Sequence, residues 1–216
     1  YMVWINALVE SGGGQIIEDA DAGVDATPTV ATPAGDAAAD IVGRLARSSA
    51  RPPDLSTAGE EEARSLFQGD SGSFMVNWPY VYGAAQEGVE TGAIDQSVLD
   101  DIAWARYPRV DRDRPSAPPL GGINLAIGNF TEHPDEALAA VKCITSVQAN
   151  AQYMVESGNP AARAAAYDDP EVREAFPMAD LIRDSLADAG PRPITPYYGD
   201  VSTSVQRTWH PSNQVE

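Results

Sequence analysis

Apolar residues recur at helical spacing over several stretches of the chain. After Asp36, a suitable N-cap, the apolar positions follow i, i+3, i+4 and i+7 and predict a helix over residues 37–48. The run from Thr57 to Glu60 has the spacing of a capping box and predicts a helix that ends at Gln68. The same criteria predict further helices over residues 81–87, 134–157, 178–189 and 200–209, and a short helix that begins near residue 170.

Shorter apolar runs predict strands between these helices. Residues 74–82 read Phe-Met-Val-Asn-Trp-Pro-Tyr-Val-Tyr, and they predict a strand that ends near Trp78, because Pro79 has no N–H to donate to a ladder. Residues 1–9 form an apolar helix or strand that ends at a glycine-rich turn. Helices alternating with short strands favour an α/β fold in which helices cover the sheet edges. Further strands are predicted over residues 15–18, 102–107 and within 120–127.

Composition restricts the class of partner. The chain has 216 residues, of which 43% are hydrophobic, enough for one large domain or two small ones. It carries 32 acidic and 14 basic residues, a net charge of −18, which repels phosphate backbones and argues against nucleic acid as a partner. No apolar run reaches membrane-spanning length and no signal peptide is visible. Because the chain begins abruptly in an apolar stretch, we expect it to be a segment of a longer protein.

Patterns for catalysis and metal binding are weak. The run 69–73 has the letters of the nucleophile loop of trypsin-like proteases, but in that chain order the histidine base precedes the serine. Here His133 and His210 both follow Ser71. These two histidines are distant in the chain and the single cysteine is Cys143, which is a poor set of ligands for zinc. We therefore predict no catalytic residue and no metal ligand.

Acidic residues are abundant without pointing to a reaction. Glycosidases use two carboxylates at a set separation, and nothing in the sequence singles out one pair among the 32 acids. The triplet Glu60-Glu61-Glu62 occupies the first turn of a predicted helix, where the helix dipole favours negative charge. We expect these three carboxylates to be solvated and structural.

Three stretches carry groups suited to a neutral polar ligand. Trp78 and Tyr80 either close a core strand or face a cavity and stack on the ligand. The run Gly121-Gly122-Ile123 is either a tight turn or a place where a ligand can touch backbone amides. Arg192 lies between two prolines and either forms a surface salt bridge or presents a fixed fork of donors to hydroxyl or carboxylate oxygens. A sugar suits this set, because one face of a pyranose packs on an aromatic ring and its hydroxyls need placed polar groups.

A family resemblance rests on these stretches and their neighbours. Residues 62–80 (Glu-Ala-Arg-Ser-Leu-Phe-Gln-Gly-Asp-Ser-Gly-Ser-Phe-Met-Val-Asn-Trp-Pro-Tyr), 119–122 (Pro-Leu-Gly-Gly), 159–163 (Asn-Pro-Ala-Ala-Arg) and 192–193 (Arg-Pro) occur in this order. Together they resemble the family-1 extracellular solute-binding proteins, the sugar-binding proteins of bacterial ABC importers. The version Asn-Trp-Pro-Tyr is most similar to the trehalose- and maltose-binding branch of that family.

The resemblance implies an α/β, periplasmic-binding-protein-like fold of type II. Residues 1–77 would form the first part of the second lobe, and residues 78–120 would cross the hinge into the first lobe. Residues 121–216 would complete the second lobe. Most of the first lobe would be absent, because members of the family are much longer than this chain.

The resemblance also implies a role. The chain would belong to the substrate-binding component of a bacterial ABC sugar importer, which binds a disaccharide (trehalose or a related α-glucoside) without catalysis or cofactor. Its partners would be the permease subunits of the transporter, and it would be extracytoplasmic and lipid-anchored to the outer face of the cell membrane. A carbohydrate-active enzyme such as a glycoside hydrolase, and a purely structural interaction domain, are the alternatives. The residues that the resemblance assigns to sugar binding are Trp78, Tyr80, Gly121, Gly122, Ile123 and Arg192.

Overall fold

The computed structural model describes residues 1–69 and 71–215 and separates into two compact units. Unit 1 comprises residues 1–59, 106–121 and 185–216, and unit 2 comprises residues 60–105 and 122–184. Each unit has its own hydrophobic core. The predicted assignment of chain segments to the lobes of a longer protein stays a prediction. Asp70, in the run weighed above as a nucleophile loop, lies outside the described residues.

Helices dominate the structure. A small antiparallel sheet pairs β1 (Ile17–Glu18) with β2 (Thr27–Pro28), and short 3-10 helices span Ala20–Asp25, Ala164–Asp168 and Ser212–Gln214. In the part of the chain that the structure describes, no helix is both long and apolar enough to cross a membrane. The α-helices in chain order are α1 (Met2–Ser11), α2 (Pro33–Arg47), α3 (Glu60–Gln68), α4 (Tyr80–Glu90), α5 (Gln96–Asp101), α6 (Pro134–Ile144), α7 (Val147–Ser157), α8 (Pro170–Ala175), α9 (Ala179–Ala187) and α10 (Tyr198–Thr208).

The core of unit 1 is built mainly from α1 and α2. Ile5 and Val9 of α1 and Val42 of α2 have no exposed surface, and the indole of Trp209, which follows α10, is buried in the same cluster. Residues 1–9, for which the sequence left helix and strand open, are therefore mostly helical. Residues 5–9 of α1 are buried on all sides of the helix, whereas α2 buries one face, and this burial stabilises the unit.

The boundary of α2 differs from the prediction. The helix begins at Pro33, a residue whose fixed φ suits the first helical position. Thr32 is the N-cap, and its Oγ1 accepts from the amide of Gly35 at 3.5 Å. Asp36, the predicted N-cap, instead lies in the first turn, where the helix dipole favours its charge.

The core of unit 2 gathers around the chain between α7 and α9. Met154, Tyr167 and Val172 have no exposed surface, and Phe176 is nearly as buried. The hydroxyl of Tyr167 donates to the carbonyl of Ala161 at 2.8 Å, so the buried phenol has the partner that its burial requires. Burial raises the pKa of Tyr167 to about 12.

The helix predicted over residues 134–157 is two helices. Thr145 ends α6, and Ser146 caps α7, because its Oγ accepts from the amide of Ala149 at 3.2 Å. A hydroxyl that caps a following turn competes with the continuing helix, which a count of apolar spacing does not register. The predicted end at Gly158 is correct, since this residue adopts φ +75°.

The predicted capping box before α3 is wrong. The hydroxyl of Thr57 donates to the carbonyl of Asp54 at 3.2 Å within a turn, and α3 begins at Glu60, which the pattern had placed one turn inside the helix. The predicted end of this helix at Gln68 is correct. All three carboxylates of the triplet therefore lie in the first turn.

Most of the predicted strands are irregular segments without ladder pairing. Among residues 1–69 and 71–215, pairing is confined to β1 with β2 and an isolated parallel bridge from Pro119 to Gly190. The runs 74–78, 102–107 and 123–127 are not strands here. An apolar, β-branched run favours extended backbone, but a strand also needs a neighbour, and these runs have none to pair with.

Candidate functional site

Trp78 and Tyr80, the two predicted stacking residues, lie half-buried in unit 2 beside the first turn of α3. The indole Nε1 of Trp78 donates to Glu60 Oε1 at 2.8 Å. The hydroxyl of Tyr80 donates to Glu61 Oε1 at 2.6 Å. Each ring is thus tied at its polar edge to one of two adjacent carboxylates.

The backbone before α4 places the two rings. Asn77 Oδ1 accepts from the amide of Trp78 at 2.8 Å, and Asn77 Nδ2 donates to the carbonyl of Glu60 at 3.0 Å. Pro79 then stands at the N-cap position and α4 begins at Tyr80. The side chain of Asn77 therefore connects the aromatic run to α3. In the predicted strand, backbone hydrogen bonds to a neighbouring strand would have held this run instead.

The carboxylate of Glu61 is charged and accepts hydrogen bonds from both Tyr80 and Arg64. Its pKa is lowered, first by the hydrogen bond from Tyr80 and then by Arg64, whose Nη2 lies 2.6 Å from Glu61 Oε2. Burial, and next the hydrogen bond to Glu61, raises the pKa of Tyr80 to about 12. At neutral pH the pair consists of a neutral phenol donor and an ionised acceptor.

Gly122 and Ile123 of unit 2 lie in an open stretch of backbone. Gly122 has φ +156°, a value that residues with a side chain rarely adopt, and a Cβ there would meet nothing within 4 Å. The side chain of Ile123 is 84% exposed. The backbone here is accessible, as the ligand-contact hypothesis requires, and residues 121–123 form no turn.

In unit 1, the segments that carry Gly121 and Arg192 lie side by side. The amide of Leu120 donates to the carbonyl of Gly190 at 3.2 Å, and the amide of Gly190 donates to Pro118 at 2.9 Å. Gly121 and Arg192 each lie two residues after the parallel bridge of Pro119 with Gly190. Gly121 and Arg192, 71 positions apart in the sequence, are therefore held on neighbouring segments.

Arg192 is fixed by an aromatic neighbour and by α1. Its Nη1 donates to the hydroxyl of Tyr198 at 3.1 Å, and its Cζ lies 5.7 Å from the centre of that ring. The buried Asn6 donates to the carbonyl of Pro191 at 3.3 Å, which anchors the segment just before the arginine. The surface salt bridge considered for Arg192 is replaced by a neutral partner, and a guanidinium has five donors, of which Tyr198 uses one.

The structure thus forms two groups of predicted site residues. Trp78, Tyr80, Gly122 and Ile123 belong to unit 2, whereas Gly121 and Arg192 belong to unit 1. That both groups contact one ligand stays a prediction. The sequence did not identify Glu60, Glu61 or Tyr198 as partners of these residues, because carboxylates 18 and 19 residues away carry no spacing signal.

An open cavity of about 620 Å³ in unit 1 contains none of the six predicted residues. It is lined by Glu10, Gly13, Gly14, Gln15, Glu18 and Asp19. Within the described ranges, no group of three His, Cys, Asp or Glu side chains could hold a metal ion.

The chain is similar in sequence to a probable ABC transporter-binding protein of Deinococcus radiodurans, with 31% identity over 193 residues. The matched region covers 89% of this chain and 42% of that relative. No protein-family model matches the chain.

Among solved structures, the chain is similar to T. maritima MalE3 with maltose bound, at a TM-score of 0.78 and 26% identity. The match covers 98% of this chain and 52% of the MalE3 chain, so this chain spans about half the length of the proteins that it matches. The structural match confirms the predicted periplasmic-binding-protein-like fold of type II. Together, the two matches relate the chain to the solute-binding proteins of ABC transporters.

Proposed function

We propose that this chain is part of the substrate-binding component of an ABC sugar importer and that its ligand is a disaccharide. The observation that carries the proposal is the similarity, over 98% of the chain, to a protein whose structure contains maltose. The relative described as a probable ABC transporter-binding protein supports a role in transport. The protein then captures a sugar and releases it unchanged.

The aromatic residues supply the apolar part of the proposed contact. The rings of Trp78 and Tyr80 are half-buried and held at their polar edges, which leaves ring surface to pack on the C–H face of a pyranose. Such pockets combine apolar walls with a few placed polar groups. Rings that are already fixed lose little conformational entropy when the ligand binds.

The polar part of the contact comes from Arg192 and from backbone. Arg192 is held by Tyr198 and directs its remaining donors to ligand hydroxyls. Gly121, Gly122 and Ile123 are exposed, and their amides and carbonyls contact the sugar rim. A net charge of −18 favours a neutral sugar over an anionic one.

Trehalose or a related α-glucoside is the proposed ligand. The support is the run Asn77-Trp78-Pro79-Tyr80, which is most similar to the trehalose- and maltose-binding branch of the family-1 solute-binding proteins. Within that branch, the role proposed is that of the trehalose-binding lipoprotein of a trehalose-recycling importer. The protein would then be extracytoplasmic, lipid-anchored, and recognised by the permease subunits.

The transporter distinguishes the sugar-bound protein from the free protein through a conformational equilibrium. In a two-lobed receptor, the sugar favours the closed form only by the free energy with which it prefers the closed cleft. The closed form is the one that the permease subunits bind. A micromolar ligand corresponds to a binding free energy of about −8 kcal/mol, which ring stacking and charge-assisted hydrogen bonds can supply.

Calorimetric titration of the protein in its complete encoded length tests the proposal. Trehalose, maltose, sucrose and glucose are titrated separately, and saturable binding of a disaccharide is expected. The absence of binding to every sugar overturns the proposal and favours a structural interaction domain. Release of glucose from trehalose, abolished by changing one acidic residue, overturns it in favour of a glycoside hydrolase.

A further inference from the structure

The first turn of α3 meets both proposed stacking residues. Glu60 Oε1 accepts from Trp78 Nε1 at 2.8 Å and Glu61 Oε1 accepts from the Tyr80 hydroxyl at 2.6 Å. The sequence predicted these carboxylates to be solvated and structural, and both glutamates are exposed. The two hydrogen bonds add a specific contact with the aromatic residues, which the sequence did not predict.

These bonds use up the donors of the two rings. An indole has one N–H donor and no acceptor, so Trp78, bonded to Glu60, retains only its ring surface for other contacts. A phenol has one proton, which Tyr80 directs to Glu61. The oxygen of Tyr80 is left as an acceptor alone.

The carboxylate of Glu61 and the backbone of Glu60 are themselves held in place. Glu61 Oε2 accepts from Arg64 Nε at 2.9 Å and from Nη2 at 2.6 Å, and Arg64 Nη1 donates to Gln68 Oε1 at 2.7 Å. The backbone of Glu60 is held through its carbonyl, which accepts from Asn77 Nδ2 at 3.0 Å. A chain of hydrogen bonds along one face of α3 therefore determines the orientation of Tyr80.

We propose that Glu60 and Glu61 are positioning residues for the ligand contact, an inference that rests on the proposed function. Glu60 holds the indole of Trp78 so that it binds through its face. Glu61 accepts the hydrogen bond that the Tyr80 hydroxyl donates, so a ligand hydroxyl must be the donor to Tyr80. The pair of carboxylates thereby sets which ligand groups are accepted, without either carboxylate contacting the ligand.

A double-mutant cycle on the complete protein tests the role of Glu61. Trehalose and maltose affinities are measured by calorimetry for the wild type, Glu61→Leu, Tyr80→Phe and the double variant. We expect each single change to weaken binding by about three- to tenfold, and the double variant to bind no more weakly than Tyr80→Phe alone. Glu61→Gln, which retains an acceptor oxygen, restores part of the affinity that Glu61→Leu loses.

A spectroscopic measurement tests the role of Glu60. The protein is labelled with 5-fluorotryptophan, and the Trp78 resonance is identified by its loss in Trp78→Phe. Glu60→Leu shifts that resonance and weakens sugar binding. Glu90→Gln, which removes an exposed carboxylate at the end of α4, leaves both unchanged.

The outcomes separate this inference from the proposed function. Wild-type protein that binds none of the disaccharides overturns both. If the wild type binds sugar but the cycle is additive, or the Trp78 resonance does not respond to Glu60→Leu, Glu60 and Glu61 are structural and only the present inference falls. Equal losses in Glu61→Gln and Glu61→Leu also contradict it.

Discussion

The phenol of Tyr80 and the carboxylate of Glu61 are joined by a hydrogen bond of 2.6 Å between residues 19 positions apart. The bond connects the start of α4 to the first turn of α3. It is the largest cause of the lowered pKa of Glu61 and adds to the raised pKa of Tyr80. The stability of this contact therefore depends on pH.

Acidification should selectively weaken the contribution of this pair. A carboxyl whose pKa is lower in the folded state stabilises the fold above its unfolded pKa, about 4.3, and loses that contribution as pH falls through the folded value. We expect Tyr80→Phe to lower the melting temperature at pH 7, and the difference from the wild type to shrink below about pH 4. Melting curves recorded by circular dichroism at several pH values measure this difference in melting temperature. A difference that stays constant down to pH 3 would contradict the assignment.

Trp78→Ala should weaken sugar binding strongly. A half-buried aromatic anchor typically contributes about 2 kcal/mol or more to binding, which corresponds to about thirtyfold in affinity. The matched control is Trp104→Ala, which removes a 40% exposed indole of the same unit that packs against Tyr82. Calorimetric titration of both variants should show a loss for Trp78 alone. Unaltered affinity in Trp78→Ala removes that residue from the contact.

Arg192→Lys tests whether the planar guanidinium of Arg192 contributes directed hydrogen bonds to sugar binding. Lysine keeps the positive charge but offers a single ammonium, and it does not reproduce both the hydrogen bond to Tyr198 and the remaining donors. We expect about a tenfold loss of sugar affinity with little change in melting temperature. Arg51→Lys, at an exposed arginine that bonds the backbone of Pro52, is the control and should have no effect. Equal affinities for the wild type and Arg192→Lys would mean that Arg192 contributes no directed hydrogen bond.

Most of the helices could be predicted from the sequence because their signals are local, although α5 was not predicted and residues 1–9 were left open between helix and strand. The apolar stripe that places Val42 in the core of unit 1 is read from four or five neighbouring residues, and the stop at Gly158 from one. The break at Ser146 was missed, because a serine hydroxyl can either stay in a helix or cap the next one, and periodicity does not distinguish the two.

The strands and the site partners depend on contacts that are distant in sequence. The run 74–78 has the composition of a strand, but ladder pairing requires a second segment that sequence composition does not specify. In the same way, Trp78 could be identified as an aromatic candidate for ligand stacking, whereas its hydrogen bond to Glu60 forms only when α3 packs beside it. The alignment of Leu120 with Gly190 was likewise not predictable from either segment alone.

Gly158 should be intolerant of a side chain. It ends α7 at φ +75°, in the left-handed region, where alanine costs about 1 kcal/mol relative to glycine. A Cβ there would meet Gly83 at an ordinary 3.7 Å, so conformation and not crowding is limiting. We expect Gly158→Ala to lower the free energy of unfolding, measured by urea denaturation, by about that amount. Gly199→Ala, in α10 with nothing within 4 Å of its Cβ, should have the opposite sign.

Removal of one buried hydroxyl should destabilise unit 2. Tyr167 has no exposed surface and donates to the carbonyl of Ala161 at 2.8 Å. Tyr167→Phe keeps the ring but leaves that carbonyl without this donor, which should cost about 1 kcal/mol of unfolding free energy.

The matched control for this change is Tyr153→Phe, because Tyr153 is 49% exposed and its hydroxyl can bond to water. Urea denaturation of both variants is followed by circular dichroism, with the slope of free energy against urea checked for equality. Equal midpoints for Tyr167→Phe and Tyr153→Phe would show that the buried hydrogen bond contributes no more than an exposed one. A lower midpoint for Tyr167→Phe alone locates a stabilising polar contact inside the hydrophobic core of unit 2.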